Sequence, residues 1–492
     1  MSAQMPTPPR WSLLHGAAAG RDFEGYLRRR AAHSDPFAVG FPGFPPVLFT
    51  GTAEGARDLF RLPVELLEPP RPNPIEPMVG AASLILSSGP RHRADRALLA
   101  PALHGARVRE LGEVIRAATL REVDIGCGAA GPWRPGVRID ALAAARAITL
   151  RVILTAVFGT DGDRGDEYAG AVTDFLAAFT TPLLVAPVLR RGIGGFGPWA
   201  RFVATRERLD ELVLADVARR RPARPGPGDS TGSGNSVGDG VGDAERAGLG
   251  GGCGDGSGGG GGNGSGGAAP RSGSGDLLDL LLDTRYDDGS ALTDAELCEQ
   301  LRTLLVAGHE TTATTLTWAL YHLHRERGLL DRIVAELPSA SGDPVEQARL
   351  PLLDAVCQET LRLHPPVPIV LRRVRQPCRW RGIDIEAGQT IGLAVGVLHS
   401  QPSTWPAPRL FHPDRFLDRK VSPFEFAPFG GGHRRCIGAT LAEFELRVVL
   451  ATLLTTVRLR LEPALALGAR PRTVPRNLAT APNRAIHFTR TQ

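Results

Sequence analysis

The chain has 492 residues, of which 42% are hydrophobic and 22% charged, and its formal net charge is +5 at pH 7. This composition argues against a collagen-like or wholly disordered protein and allows a large buried core. The small positive excess includes no clustered basic helix, so nucleic acid is not an expected partner. The six cysteines stand singly without a C-x-x-C pair, which argues against a zinc site and a disulfide framework and fits a reducing compartment.

No membrane anchor is expected. The longest uninterrupted apolar runs, Leu183–Leu189 and Ile391–Leu398, fall short of the roughly 18 residues of a spanning helix. The first residues also lack a basic segment followed by an apolar run, so no signal peptide is expected. The expected location is cytoplasmic.

Glycine is concentrated in one stretch. Arg221–Gly275 holds 23 of the 59 glycines and has no Phe, Trp or Tyr. Such a composition cannot bury enough apolar surface to offset the entropy of ordering the chain. It predicts a disordered insertion at 221–275 within a single domain that spans 1–492.

The rest of the chain is mostly helical in pattern. Apolar residues at three- and four-residue spacing predict helices over Ala94–Leu103, Arg107–Val123, Asp140–Phe158, Trp199–Arg220, Asp276–Leu282, Leu350–Leu363 and Ile437–Thr455. Thr293 followed by Glu296 forms a capping-box signature for a long helix that ends near Arg325. Short strands are predicted at Val47–Thr50, Cys378–Ile385, Thr390–Val397 and Ala485–Thr489. The predicted class is mainly α with small β-sheets (α+β).

The most informative segment runs from Phe429 to Gly438 and contains three consecutive glycines, then His433, Arg434, Arg435 and Cys436. The glycines allow positive φ and a close approach to a flat ligand. A thiol near a helix N-terminus and arginines is expected to favour its thiolate, as an axial metal ligand requires. A purely structural turn, or a cysteine nucleophile near His433, would give a similar short string.

The complete segment resembles the haem-binding loop of the cytochrome P450 family. The resemblance implies one triangular, helix-rich domain that binds haem b. It implies that Cys436 is the metal ligand, that Phe429 packs against the sulfur and that Arg434 pairs with a haem propionate. His433 and Arg435 are expected at the surface, where Arg435 could meet an acidic electron donor.

Two further groups of residues extend the resemblance. Glu359 and Arg362 form an E-x-x-R, which with the later Arg415 implies a structural network beneath the haem. His92 and Arg96 lie four residues apart on one predicted helix face and imply propionate contacts. Arg372, or the adjacent Arg373, would supply another.

The long helix contains the sequence Ala307-Gly308-His309-Glu310-Thr311-Thr312. A glycine in mid-helix lowers helix stability by roughly 0.5–1 kcal/mol relative to alanine, so a compensating role is expected. One alternative is a packing notch. The resemblance implies instead that Ala307 and Gly308 open a groove at the haem, with Glu310 and Thr311 as catalytic residues in proton delivery and His309 directed away from the iron.

The implied activity is monooxygenation of a hydrophobic organic molecule, by hydroxylation or epoxidation, with O2 and electrons from a ferredoxin or flavodoxin and its reductase. Apolar segments around the expected pocket leave fatty acids, terpenoids and polyketides open as substrates. These apolar segments are Leu304, Val367–Leu371 and Leu478–Pro482. An entrance lid is expected at Thr181–Val188 and Phe196–Trp199. A monomer acting in bacterial secondary metabolism is expected. The alternatives are a peroxide-driven peroxygenase, a non-catalytic haem-binding or sensor protein, and a cysteine hydrolase.

Overall fold

The computed structural model describes residues 19, 22–41, 44–127, 131–160, 162–180, 182–183, 189–190, 196–221, 275–326, 328–337, 342–476 and 478–491. The predicted insertion at 221–275 lies outside the described residues apart from its two end residues. Most of the predicted lid at Thr181–Val188 also lies outside them.

Helices dominate the described residues. They are α1 (Phe23–Ala31), α2 (Ala53–Arg61), α3 (Glu76–Val79), α4 (Gly89–Leu99), α5 (Gly105–Glu110), α6 (Gly112–Ile125), α7 (Ala141–Phe158), α8 (Gly162–Ala178), α9 (Pro198–Arg220), α10 (Leu277–Asp283), α11 (Asp294–Arg325), α12 (Leu329–Glu336), α13 (Pro344–Gln347), α14 (Pro351–Leu363), α15 (Val395–Leu398), α16 (Arg415–Asp418), α17 (Ala439–Thr456) and α18 (Pro463–Ala466). Short 3-10 turns occur at Val64–Leu66, Ala100–Leu103 and Gly432–Arg434.

The strands form small sheets beside the helices. They are β1 (Phe37–Phe41), β2 (Phe44–Thr50), β3 (Leu67–Glu68), β4 (Arg138–Asp140), β5 (Ile369–Val374), β6 (Cys378–Trp380), β7 (Ile383–Ile385), β8 (Thr390–Ala394), β9 (Leu459–Leu461), β10 (Thr473–Arg476), β11 (Ala479–Pro482) and β12 (His487–Arg490). A five-stranded sheet has the order β1-β2-β8-β5-β3, and β2 pairs with β8 in parallel. The remaining sheets are β4-β12-β9 and the hairpins β6-β7 and β10-β11.

The centre of the fold is the 32-residue helix α11. Its start is fixed by the predicted capping box, because the Glu296 backbone N–H donates to Thr293 Oγ1 at 3.3 Å and the Thr293 N–H donates to Glu296 Oε2 at 2.9 Å. Helix α11 is buried along most of its length, and α7, α14 and α17 pack against it. A helix enclosed on most sides needs small and apolar residues around its whole circumference.

Helix α7 is long and apolar enough to span a membrane, with a mean hydropathy of 1.8, although 67% of it is buried within this fold. The sequence predicts this helix, but the search for uninterrupted apolar runs did not identify it as a candidate membrane span, because Arg146 and Arg151 divide its apolar sequence. Its packing against α6 and α11 accounts for the apolar character as that of a core helix.

The predicted class, mainly α with small sheets, is confirmed. The predicted helix Arg107–Val123 is instead divided into α5 and α6 at Leu111. A Cβ on Gly112, the first residue of α6, would lie 3.2 Å from Pro344 and 3.4 Å from Phe444. The chain turns where two other helices approach closely, which helical spacing does not reveal.

Ion pairs connect the two chain segments that flank residues 222–274. Arg220 Nη1 lies 2.6 Å from Asp276 and 2.8 Å from Asp279, and Arg221 Nη2 lies 2.5 Å from Asp294. The end of α9 and the beginnings of α10 and α11 are therefore held together by side chains outside the stretch.

We predict that replacing residues 222–274 with a Gly-Ser link of about eight residues leaves the fold intact, because the flanks already meet and a short loop suffices. The thermal midpoint and the haem content of the purified protein are the measurements. A control variant should carry Arg220→Ala in the full-length chain and have a lower midpoint. Loss of haem from the shortened protein would show that the stretch belongs to the fold.

Candidate functional site

Cys436 lies in a tight loop before α17. Its backbone N–H donates to the Phe429 carbonyl at 2.9 Å, and the Gly430 N–H donates to the Ala427 carbonyl at 3.0 Å. Gly430 and Gly432 each have a φ of +65°, which glycine adopts without the steric cost that a Cβ would add. Helix α17 begins at Ala439 with Gly438 as its N-cap, two residues later than predicted.

The glycines of this loop pack against Phe60 of α2. A Cβ on Gly431 would lie 2.3 Å from the Phe60 ring, and a Cβ on Gly432 would lie 2.7 Å from the Phe60 backbone oxygen. The loop can therefore lie this close to α2 only with glycine at both positions.

The Cys436 side chain is exposed, yet protein crowds its remaining sides. Burial raises the pKa of the Cys436 thiol, and this effect outweighs the lowering by the Gly438 N–H and by the Arg435 and Arg96 charges. The lowering by the loop N–H and the arginines is the effect that the sequence predicts, and thiolate ligation in the haem-bound protein stays a prediction.

Three charged arginines and two histidines converge beside the loop, and we call this group the cationic cluster after its arginines. They are Arg96 and His92 of α4, Arg372 of β5, and Arg434 and His433 of the loop. Burial lowers the pKa of Arg434 to about 10, and burial together with the Arg434 charge lowers the pKa of Arg372 to about 10. Burial, followed by the charges of the neighbouring cations, lowers the pKa of His92 to about 3. The two imidazole rings lie edge to face, with centroids 6.1 Å apart.

The three arginines of this cluster have no ion pair to a carboxylate within the described part of the chain. Arg96 donates to the Arg435 carbonyl at 2.8 Å and Arg434 to the Ile85 carbonyl at 3.2 Å. The buried atoms Arg434 Nε and His433 Nε2 have no hydrogen-bond partner among the described residues. A cluster of like charges with unused donors fits an anionic group.

The register of β5 distinguishes the two candidate arginines. Arg373 pairs with Glu68 of β3, whereas Arg372 is close enough to Arg434, His92 and His433 for their charges to interact. Alternation along a strand directs neighbouring side chains to opposite faces. Only Arg372 of the two belongs to the cationic cluster.

Helix α11 has an unburied patch in the middle of its buried length. Between Leu297 and Leu323 the unburied residues are Glu299, Ala307, Gly308, Glu310 and Thr311. A Cβ on Gly308 would meet Ile153 of α7 at 3.3 Å, so the packing-notch alternative has support, while the adjacent Ala307 is exposed. Thr311 Oγ1 donates to the Ala307 carbonyl at 2.7 Å.

Glu310 is held by α7. Arg146 Nη2 lies 2.8 Å from Glu310 Oε2, and the buried His309 ring lies 3.1 Å from the Arg146 carbonyl through Nε2. Sequence reasoning missed Arg146, because a partner 164 positions away leaves no local signal.

Glu359, Arg362 and Arg415 form a buried network. Arg362 Nε and Nη2 donate to the two Glu359 oxygens at 2.6 and 2.7 Å, and Arg415 Nε donates to Glu359 Oε1 at 3.2 Å. Arg362 also donates to the carbonyls of His399, Pro408 and Leu410. The network joins α14 to the segment that leads to the cysteine loop.

These residues fit haem in three respects. An accessible thiol in a close-packed glycine loop suits a soft axial ligand. The cationic cluster with unused donors suits two propionates, and Ala307 with Thr311 leaves space on a helix that is otherwise enclosed.

Residues 268–484 match the family model Cytochrome P450. A protein of Mycobacterium tuberculosis assigned as cytochrome P450 138 is 31% identical over 476 residues, covering 94% of this chain and 93% of its own length. The chain belongs to the cytochrome P450 family. Its cofactor is haem b, as is usual for these haem-thiolate proteins.

Further P450 proteins are similar to this chain in sequence or in structure. Cytochrome P450 135B1 of Mycobacterium bovis is 31% identical, covering 89% of this chain and 78% of its own length. The haem domain of cytochrome P450DA has a TM-score of 0.75 at 20% identity, with 100% and 99% of the two chains covered. Cyanobacterial CYP120A1, solved with retinoic acid bound, has a TM-score of 0.72 at 20% identity, with 94% and 93% covered. The two structural likenesses support the P450 fold.

We predict different outcomes for alanine at the two glycines beside Phe60. Gly431→Ala should lower haem content because its Cβ meets the Phe60 ring, and adding Phe60→Ala should restore it by removing that ring. Gly432→Ala should not be rescued, because its Cβ meets the Phe60 backbone at a positive φ. Absorbance of bound haem per protein is the measurement, and rescue at Gly432 would contradict the packing described.

Proposed function

We propose that this P450 is a monooxygenase that hydroxylates or epoxidises a hydrophobic small molecule, with electrons from a ferredoxin or flavodoxin and its reductase. The observation that carries the proposal is the unburied patch of α11, where Ala307 leaves space and Glu310 and Thr311 supply polar groups. A protein that only stored or sensed haem would not need this carboxylate and hydroxyl pair.

In this proposal Cys436 is the metal ligand, and Phe429 packs beside the sulfur. The Arg435 guanidinium carbon lies 5.9 Å from the centre of the Phe429 ring, which holds that ring in the loop. Arg434 pairs with one propionate. When bound, haem b supplies the binding and reductive activation of O2.

His92, Arg96 and Arg372 complete the propionate contacts. Support comes from their convergence without carboxylate partners in the described chain and from their lowered pKa values, which an adjacent anion would raise again. Arg372 is preferred over Arg373 because Glu68 already pairs with the latter.

Thr311 and Glu310 deliver protons in this proposal. The Thr311 hydroxyl donates its hydrogen to the Ala307 carbonyl, so its oxygen remains free to accept a hydrogen bond from a water. Arg146 donates to Glu310 Oε2 at 2.8 Å and fixes the position of this carboxyl group, which can take a proton from solvent and pass it to that water. Both residues act by holding or moving protons at their oxygens.

The substrate is proposed to be hydrophobic, as in fatty acids, terpenoids or polyketides. Leu304 is buried on α11, and Val367 is 42% exposed just before β5. Apolar residues of this kind favour a ligand whose own apolar surface is removed from water on binding.

An acidic redox partner is proposed to bind near Arg435. This arginine is exposed and directly precedes Cys436, so an acidic surface there would be attracted to it and brought close to the cofactor. We further propose a monomeric, cytoplasmic enzyme of secondary metabolism whose single domain includes residues 221–275.

We predict that the reduced, CO-bound holoprotein shows the strongly red-shifted Soret band of thiolate-ligated haem. Cys436→Ala should lose this band, whereas Cys378→Ala, which changes a half-buried cysteine of β6, should keep it. A haem-replete wild type without the band would refute thiolate ligation.

We predict that Thr311→Ala consumes reductant but yields peroxide instead of product, because proton delivery is lost. A substrate is first found by its effect on the haem spin state, and product per electron is then measured with ferredoxin and reductase. Thr311→Ser keeps the hydroxyl and should retain coupling. An unchanged yield in Thr311→Ala would remove Thr311 from this role, and turnover with peroxide alone would favour the peroxygenase.

A further inference from the structure

His399 lies directly after α15, between the buried network of Arg362 and the cysteine loop. It is 1% exposed, and its ring packs against the rings of Phe426 and Trp405, with centroids 5.2 and 6.4 Å away. Neither the proposed haem contacts nor proton delivery uses this histidine. A buried polar ring is tolerated when its nitrogens have hydrogen-bond partners.

Both ring nitrogens of His399 contact the protein backbone, and these contacts fix one tautomer. Nδ1 lies 3.2 Å from the Arg362 carbonyl oxygen. A carbonyl only accepts, so Nδ1 bears the hydrogen. The Ala427 N–H donates to Nε2 at 3.0 Å, so Nε2 presents its lone pair. The ring is therefore neutral, and it joins the end of α14 to the segment before the cysteine loop.

Backbone hydrogen bonds continue from Ala427 to the cysteine. The Ala427 carbonyl accepts from the Gly430 N–H at 3.0 Å, and the Phe429 carbonyl accepts from the Cys436 N–H at 2.9 Å. Gly430 has a positive φ, so the position of Ala427 sets where the turn of the loop begins. His399 is thus hydrogen-bonded to the residue from which the turn around Cys436 is built.

We propose that His399 is a positioning residue for thiolate ligation: its neutral ring holds Ala427, and through Ala427 the turn that presents the Cys436 sulfur to the haem. The inference rests on the proposed ligation by Cys436. A proton on Nε2 would convert this acceptor into a donor that faces the Ala427 N–H, and that hydrogen bond would be lost. Acid would therefore release the loop at His399.

The pKa of His399 gives the direction of this pH dependence. Burial, followed by the Arg362 charge, lowers the pKa from its usual 6.5 to about 3. A ring released into water binds a proton below pH 6.5, whereas the ring held in place stays neutral down to about pH 3. Between these two values, each unit of acidification favours release of the ring by about tenfold.

Charged groups also lie on the elements that pack around His399. They are Arg362 and Glu359 of α14, Arg415, Arg419 and Glu425 after α15, and Glu24 of α1, whose carboxyl lies beside Gly396 of α15. The arginines are each paired with one of these carboxylates. Burial raises the pKa of Glu24 to about 7, so Glu24 titrates on acidification as well. Variants that differ only at position 399 share this contribution, and it cancels in their comparison.

Three substitutions separate the hydrogen bonds of the ring from the space that it fills. In His399→Gln the amide oxygen reaches the position of Nε2 and accepts from Ala427 without titrating. In His399→Asn the shorter amide reaches only the position of Nδ1 and the Arg362 carbonyl. His399→Phe keeps an aromatic ring against Phe426 but makes neither hydrogen bond.

The first measurement is the red-shifted Soret band of the reduced, CO-bound holoprotein at pH 7. We expect His399→Gln to keep this band as wild type does. His399→Asn and His399→Phe should leave the Ala427 N–H without its acceptor, and the fraction of haem without the band should rise by about tenfold or more.

The second measurement is amide hydrogen exchange at Ala427 in the holoprotein, followed by mass spectrometry. Exchange should be about tenfold faster in His399→Asn and His399→Phe than in wild type and His399→Gln, because only the latter two retain the acceptor. Exchange at this amide requires no thiolate. Failure of this proposal is therefore distinguishable from failure of ligation by Cys436, which the wild-type CO spectrum measures.

The third measurement is a pH titration of the red-shifted band from pH 6.5 to 4. The logarithm of the ratio of haem without the band to haem with it should rise less steeply in His399→Gln than in wild type, by about one per pH unit. His324→Gln is the matched control. This half-buried histidine of α11 contacts the Leu320 carbonyl of its own helix at 2.8 Å, so the control should keep the wild-type slope.

Equal slopes in wild type and His399→Gln would overturn the proposal. So would a retained band in His399→Phe with wild-type exchange at Ala427, because filling the space would then suffice. A slope reduced equally in His324→Gln would also overturn it, since acid would then act on the whole fold. If His399→Asn or His399→Phe does not fold, as judged by circular dichroism, the slope of His399→Gln decides.

Discussion

The buried Arg362 guanidinium is the interaction on which the haem side of the fold depends. It donates to both oxygens of Glu359 and to three backbone carbonyls between His399 and Leu410. A charge buried this completely is tolerated only when its donors are satisfied. The segment that leads to the cysteine loop must therefore follow one path around Arg362, and that path brings Cys436 to α2 and α4.

The arginines of the cationic cluster differ from Arg362, because they have no carboxylate partner in the described chain. Arg96, Arg372 and Arg434 lie around His92, burial lowers the pKa of each guanidinium, and none has an ion pair with a carboxylate in the described chain. Their placement is costly for the protein alone and favourable once an anionic cofactor lies among them. If the proposed propionate contacts form, cofactor binding and folding are linked here, because haem would then balance the charges of these arginines.

The Glu310 carboxylate of α11 lies between two different parts of the fold. Ala307, Glu310 and Thr311 all lie on the unburied patch, and Glu310 also reaches Arg146 and a cavity between α7 and α8. Gly308 allows α7 to pack closely against α11, and the adjacent, exposed Ala307 leaves the groove open. The packing notch and the groove therefore arise from two neighbouring small residues. The alternatives that the sequence left open at this glycine are thus compatible.

Local chemistry in the sequence determined the family, the cysteine loop, the capping box of α11 and the Glu359–Arg362 pair, because each depends on residue types at short spacing. Element boundaries such as the break at Leu111, and partners such as Phe60, Arg146 and Glu68, were decided only by tertiary structure. These contacts join residues far apart in the chain, and their energies arise from close packing and burial rather than from spacing. The raised pKa of Cys436 has the same origin, since desolvation depends on the atoms that surround the sulfur and not on the residues beside it in sequence.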